Sequence, residues 1–266
     1  MVLAMMTAAA GCGSDGGGDG DGEASTPTTV RGTTVPVPST AGGTTIPATN
    51  LTLRITDVRL INSEESDNGF RILLPAGVTT ASVTVNGLPS PNRVISVCQA
   101  QDLDRRFSGA ACRSPANGVA VNVALGTAAS GVELVQVGVT GAGAAGSTAA
   151  LEDVTIRYSA SSRQVNVRLP QVASGERPTF DLSPAGSDGT YKATLAWTVI
   201  PVFGGTNATG QIELLEGGNV SGQAQSGGAQ VELNGKLATA GSAATIRLQN
   251  SGTSALVTPK LTALLP

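Results

Sequence analysis

Histidine is absent from this sequence of 266 residues, which removes the commonest general base and the commonest transition-metal ligand together. A serine nucleophile would need a lysine or a carboxylate as its base. Only Lys192, Lys236 and Lys260 are available, and no Ser-x-x-Lys occurs. Charged residues make up 13% of the chain and the net charge is −3, with no basic cluster beyond Arg105-Arg106. A nucleic-acid partner is therefore not expected. Aromatic residues amount to 3%, poor provision for stacking sugar rings. Apolar runs of about 20 residues, the length of a membrane-spanning helix, do not occur.

What is present points to strands. The 35 glycines, with abundant Thr, Ser, Ala and Val, disfavour long helices and suit short strands joined by tight turns. From Leu51 onward the dominant period is two: Val119, Val121, Val123, Leu125; Val135, Val137, Val139; Val154, Ile156, Tyr158; Val165, Val167, Leu169. It continues through Ala193, Leu195, Trp197, Val199, then Ile212 and Leu214, Val231 and Leu233, and Ile246 and Leu248. Each run reads as a strand with one face buried and one wet, as in antiparallel sheets. Trp197 shares its face with Tyr191, Ala193 and Leu195, which places it in the core rather than on a sugar-stacking surface.

The sequence also resembles itself at an offset of 109 residues. Val58-Arg59-Leu60 recurs as Val167-Arg168-Leu169, and Pro75-Ala76-Gly77 as Pro184-Ala185-Gly186, with Phe70 and Phe180 just before the second pair. The expectation is an all-β protein of tandem antiparallel β-sandwich domains, one over residues 51–160 and one over 161–266. In each half the order Phe, Pro-Ala-Gly, strand, Gly-rich turn and closing strand, best seen in Leu151-Glu152-Asp153-Val154-Thr155-Ile156-Arg157-Tyr158, resembles jelly-roll β-sandwich modules of secreted bacterial enzymes. Carbohydrate-binding modules and pre-peptidase C-terminal domains are examples. That resemblance implies glycan binding, calcium binding or a spacer role.

Residues 2–10 form a short apolar run of signal-peptide type, followed by Gly11 and Cys12. The stretch Ala9-Ala10-Gly11-Cys12 resembles the lipobox of bacterial lipoproteins, which implies a signal peptide over residues 1–11 and lipidation of Cys12. Residues 13–23 are almost wholly Gly and Asp, and residues 24–50 are rich in Thr, Pro, Ser and Gly. Neither stretch can bury enough apolar surface to offset its ordering entropy, so residues 12–50 read as a disordered tether. The predicted location is the extracytoplasmic face of a membrane, held by the N-terminal lipid. With Cys12 modified, Cys98 and Cys112 remain as an even pair in an oxidising compartment, and a disulfide is expected.

Four candidate chemistries remain. Gly141-Ala142-Gly143-Ala144-Ala145-Gly146 matches the spacing of a dinucleotide fingerprint. Only residues 147–153 separate it from the next strand, too few for the required helix, so it reads as a loop and no nucleotide is expected. Asp15, Asp19, Asp21 and Glu23, or Glu64, Glu65, Asp67 and Asn68, could offer oxygen ligands to calcium. Neither set has the spacing of a calcium loop, and no cofactor is expected. Carboxylate pairs of glycosidase type are open to any two of the 19 acids. Asp102, Asp104, Arg105, Arg106 and Phe107, inside the disulfide loop, form the candidate recognition surface. The expected function is non-catalytic: a lipid-anchored envelope protein that binds a cell-wall glycan or envelope protein, or acts as a spacer, through sandwich loops. The alternatives are a structural envelope protein without a soluble ligand and a polysaccharide hydrolase with a carboxylate site.

Overall fold

The computed structural model describes residues 47–61, 69–87, 94–104, 112–126, 130–137, 148–198 and 208–266. Cys12 and the tether up to residue 46 lie outside them, as do Glu64, Glu65, Asp67, Asn68, the Gly141–Gly146 motif, Arg105, Arg106 and Phe107. Strands in the first half are β1 (Thr49–Ile61), β2 (Phe70–Leu73), β3 (Thr80–Asn86), β4 (Val94–Ala100), β5 (Val121–Ala124), β6 (Gly131–Val137) and β7 (Thr148–Ala160). The second half begins with β8 (Gln164–Arg168), β9 (Gln171–Val172), β10 (Thr179–Ser183), β11 (Thr190–Thr198) and β12 (Gly210–Glu216). It ends with β13 (Asn219–Ser226), β14 (Gln230–Lys236), β15 (Ala244–Asn250) and β16 (Leu256–Leu264). The described residues contain no helix, so none is long and apolar enough to cross a membrane.

All pairings are antiparallel and fall into two sheets, ordered β13-β12-β15-β10-β1-β7-β3-β5 and β14-β11-β16-β8-β2-β6-β4. The expected boundary near residue 160 does fall at a turn, between β7 and β8. The segments on either side are nevertheless not separate sandwiches. β1 pairs with β10, and β2 with β8, so each sheet runs unbroken through both halves. The physical reason is the edges: β1 and β2 would each expose an unpaired ladder if the first half closed alone, and the second half covers both.

The internal repeat is visible in this topology. The order β5-β3-β7-β1 in one sheet returns as β14-β11-β16-β8 in the other, and β4-β6-β2 returns as β12-β15-β10. Phe70 and Thr179 open β2 and β10, 109 residues apart; Val121 and Gln230 open β5 and β14, also 109 apart. Core contacts follow the repeat. Phe70 lies opposite Leu134, and Phe180 opposite Ile246, with all four fully buried.

The alternation holds along most strands, and the departures have local causes. In β1 the buried residues are Leu51, Leu53 and Ile55, then Val58 and Leu60. Parity changes at Asp57, whose φ of 57° lies in the left-handed region. A non-glycine residue there costs on the order of 1–3 kcal/mol and persists only where its surroundings fix it. β7 changes parity at the same level, from Leu151 to Val154, which keeps the pair Val58 and Leu151 inside. β6 turns Val132 and Leu134 to the core, the opposite parity to the expected Val135, Val137, Val139 set. Val119 lies before β5 and is exposed, although its alternation suggested a longer strand. Pro259 sits inside the central strand β16 without harm because the register shifts there, with Thr258 at φ 44°, so no ladder donor is missed. Trp197 is in the core as the alternation implies, packed on Gly210, where a Cβ would stand 2.5 Å from the indole.

Candidate functional site

β4 is the last strand of its sheet, and the chain leaves it at Ala100 to return at Cys112. Cys98 and Cys112 are joined by a disulfide (S–S 2.07 Å). Just beyond it, Arg113 and Val97 exchange both main-chain hydrogen bonds, at 2.8 and 2.9 Å, so the returning segment extends the sheet edge briefly. The staple therefore closes a loop whose two feet stand on one strand.

Residues 103 and 104 of this loop lie against a row of charged side chains that crosses four strands, with Cys98 at its end. Register places Cys98 opposite Glu133, Glu133 opposite Arg71, Arg71 opposite Arg168, and Arg168 opposite Lys260. Their neighbours Phe70, Ile72, Val132 and Leu134 face the core, so the row lies on the outer face of the sheet. An outer face is normally wet, yet Arg71 and Glu133 are fully buried. Arg71 donates from Nε to Glu133 Oε1 at 3.0 Å, with Nη2 2.9 Å from the same oxygen. Its Nη1 donates to the Leu103 carbonyl at 3.1 Å. Gly69 backs the carboxylate: a Cβ there would stand 2.0 Å from Glu133 Oε1, so only glycine fits. Two charges removed from water need this degree of pairing, because desolvation costs several kcal/mol per ion.

Asp104 fastens the other side of the loop. Its carboxylate accepts from Lys260 Nζ at 2.8 Å and lies 3.9 Å from Arg168 Nε. Arg168 Nη1 also reaches the Leu103 carbonyl at 3.5 Å, and Asp102 Oδ1 accepts from the Asp104 main-chain N–H at 2.7 Å. One carbonyl and one carboxylate of the loop thus face three cations from β2, β8 and β16. The contacts of Asp104 join a first-half loop to second-half strands. The hydrogen bond from Lys260 holds the Asp104 carboxyl below its usual range, with the charges of Lys260, Arg168 and Arg71 adding to it. A lowered folded-state pKa means that this contribution is present at neutral pH and lost as pH falls below about 4. The effect is small, since the carboxylate is largely exposed. Limited proteolysis at residues 99–104 should accelerate between about pH 5 and about pH 3. Asp104→Asn should already cleave faster at pH 5 and respond less to acid; an unchanged pH response in that variant would refute the assignment.

Of the predicted recognition residues, the structure brings Asp104 to the charged row and bonds Asp102 to the Asp104 main chain, while Arg105, Arg106 and Phe107 lie outside the described residues. The sequence reading missed Arg71, Glu133, Arg168 and Lys260. The available signal was a charge flanked by buried apolar neighbours: Phe70-Arg71-Ile72, Val132-Glu133-Leu134 and Val167-Arg168-Leu169. In the other sheet Asp181 stands beside Phe180 as Arg71 stands beside Phe70, with Thr245 opposite it on β15 and Arg54 opposite it on β1. Among the described residues no group of three or more His, Cys, Asp or Glu side chains could hold a metal ion.

No protein-family model matches the chain, and no curated protein matches it. Among solved structures it is similar to BuGH86 in complex with neoagarooctaose, at 11% identity and a TM-score of 0.23, over 82% of this chain and 33% of that one. The chain thus spans about a third of that protein's length. It is also similar to the Macrobrachium rosenbergii nodavirus structure, at 9% identity and a TM-score of 0.22, over 90% of this chain and 97% of that one. Likenesses of this size assign neither a family nor a function.

Proposed function

We propose that this protein is a non-catalytic, lipid-anchored binding or spacer module of the bacterial cell envelope, acting through the loop between Cys98 and Cys112. The observation that carries the reading is that the described part of this loop, residues 99–104, is held by the disulfide at its foot, by Leu103 on Arg71, and by Asp104 on Lys260. A loop held in one arrangement loses little entropy on binding, which favours recognition. Its ligand would be a cell-wall glycan or an envelope protein. Anchoring rests on the lipobox-like Ala9-Ala10-Gly11-Cys12 and the Gly-, Asp-, Thr- and Pro-rich stretch after it. The disulfide is in keeping with an oxidising, extracytoplasmic compartment.

Two experiments test the two parts. Cys12→Ala should move the exported protein from the detergent phase to the aqueous phase in a partition assay; unchanged partition would reject the anchor. On glycan and envelope-protein arrays, the wild-type protein should bind a defined subset, and a Cys98→Ala/Cys112→Ala variant should lose it. No binding by the wild type, or equal binding by both, would replace this reading with that of a structural envelope protein.

A further inference from the structure

β13 is the last strand of its sheet, so its main-chain donors and acceptors on the side away from β12 meet no further strand among the described residues. Such an edge is a template for pairing with another chain unless it is short, covered or charged. The other three sheet ends carry those defences. β5 has only four residues, Val121–Ala124. β4 is covered by the returning segment, where Arg113 pairs with Val97, and by the disulfide. β14 carries Glu232 and Lys236, with Glu232 held 3.2 Å from Lys192 on the neighbouring strand. β13 has none of these defences: its eight residues, Asn219–Ser226, include no charge and no proline.

The interior behind this edge is already closed. The Tyr191 hydroxyl lies between the last strands of the two sheets, 3.3 Å from where a Cβ would stand on Gly222 of β13 and 2.6 Å from one on Gly235 of β14. No added strand is needed to seal the core, and what β13 offers is main chain. The register shift against β12 falls beside the turn, and from Gly222 to Ser226 the pairing is regular. Gln223 and Gln225 stand opposite Glu213 and Gln211 and are exposed. Ala224 stands opposite Ile212 and packs on the core.

We infer that β13 pairs with β13 of a second copy of this chain, antiparallel and about a twofold axis through Ala224. The segment is its own complement. With Ala224 on the axis, Gln223 lies opposite Gln225 of the second copy, and Gly222 opposite Ser226, each pair occurring twice. An amide both donates and accepts, so glutamine satisfies glutamine, and no like charges meet across the pair. A peptide ligand would be selected by pockets for its alternate side chains, whereas the symmetric Gln-Ala-Gln selects its own copy. A contact of this self-complementary kind closes as a dimer and does not grow into a fibre. One edge buries less than the roughly 1,600 Å² of a standard stable interface, so the dimer dissociates in the micromolar range or above. Neither the lipid anchor nor the Cys98–Cys112 loop enters this argument, so its failure leaves the loop reading standing.

Sedimentation velocity of the full chain carrying Cys12→Ala, in which no lipid contributes to association, should show reversible dimers between about 10 µM and about 1 mM. Adding Gln223→Lys/Gln225→Lys sets lysine opposite lysine twice across the axis and should weaken dimerisation by about tenfold or more. Adding Gln223→Lys/Gln225→Glu instead sets lysine opposite glutamate twice and should restore it. Both positions are exposed, so the two variants should keep the thermal midpoint of the parent. A parent that stays monomeric throughout, a lysine pair that dimerises as well as the parent, or a lysine–glutamate pair as monomeric as the lysine pair would overturn the inference.

Discussion

Arg71→Ala should lower the unfolding free energy by about 3–5 kcal/mol, the cost of leaving one charge of a buried ion pair without its partner. Glu133 would then keep a carboxylate at zero solvent exposure, backed by Gly69 and stripped of its guanidinium donors. Glu133→Ala should cost a similar amount, because Arg71 would retain the Leu103 carbonyl and lose its counter-charge. The two losses should not add. A double variant such as Arg71→Met/Glu133→Leu removes both charges and replaces them with apolar volume, and buried pairs exchanged in this way are often neutral. Lys260→Ala provides the contrast: its ion pair with Asp104 is exposed on both sides, so its loss should cost under about 1 kcal/mol. Urea unfolding of the four variants measures all of these. An Arg71→Ala loss under about 1 kcal/mol would mean that the pair is hydrated in solution and that the loop does not seal it.

The second large effect belongs to the disulfide. Cys98→Ala/Cys112→Ala should lose roughly 2–4 kcal/mol, mainly through the greater freedom of the unfolded chain once a loop with sequence separation 14 is no longer closed. Cys98 is buried on β4 and Cys112 is exposed, so the second cysteine is the one released when the bond is absent. The variant should become sensitive to protease between residues 99 and 111, and should be cleaved faster than the Lys260→Ala variant, whose loop keeps its covalent closure. Intact mass after alkylation without reductant should show no free thiol at either position in the wild type. Alkylation of both would remove the staple from the account.

These residues show how far the sequence could be read. Period-two alternation identified Val154, Ile156 and Tyr158, Val165, Val167 and Leu169, and Ala193, Leu195 and Trp197 as core faces, because one side of each strand is wet and composition records that. The same rule misplaces Arg71 and Glu133. It sends Arg71 to solvent, as its outward position demands, and it credits the Glu133 face of β6 with Val135, Val137 and Val139 instead of a buried charge; the pair is enclosed with Leu103 and Gly69, whose approach to the sheet is a matter of topology. The pairing of Cys98 with Cys112 follows from counting, while the target of the loop they close does not. The repeat was legible as an offset near 109, but not the joining of halves through β1–β10 and β2–β8, since edge pairing is made by main-chain groups that every residue carries. At Asp57 the parity change requires a left-handed residue, and aspartate only permits that conformation without announcing it.

The most direct test of the central claim, that residues 99–104 are held in one arrangement on the charged row, is native-state hydrogen exchange over that segment. The account predicts protection well above that of an unstructured segment at neutral pH. It further predicts that the protection falls sharply in Cys98→Ala/Cys112→Ala and falls measurably in Asp104→Asn, while protection of β6 and β8 is retained. Exchange at unstructured rates in the wild-type protein, or rates that neither variant changes, would contradict it.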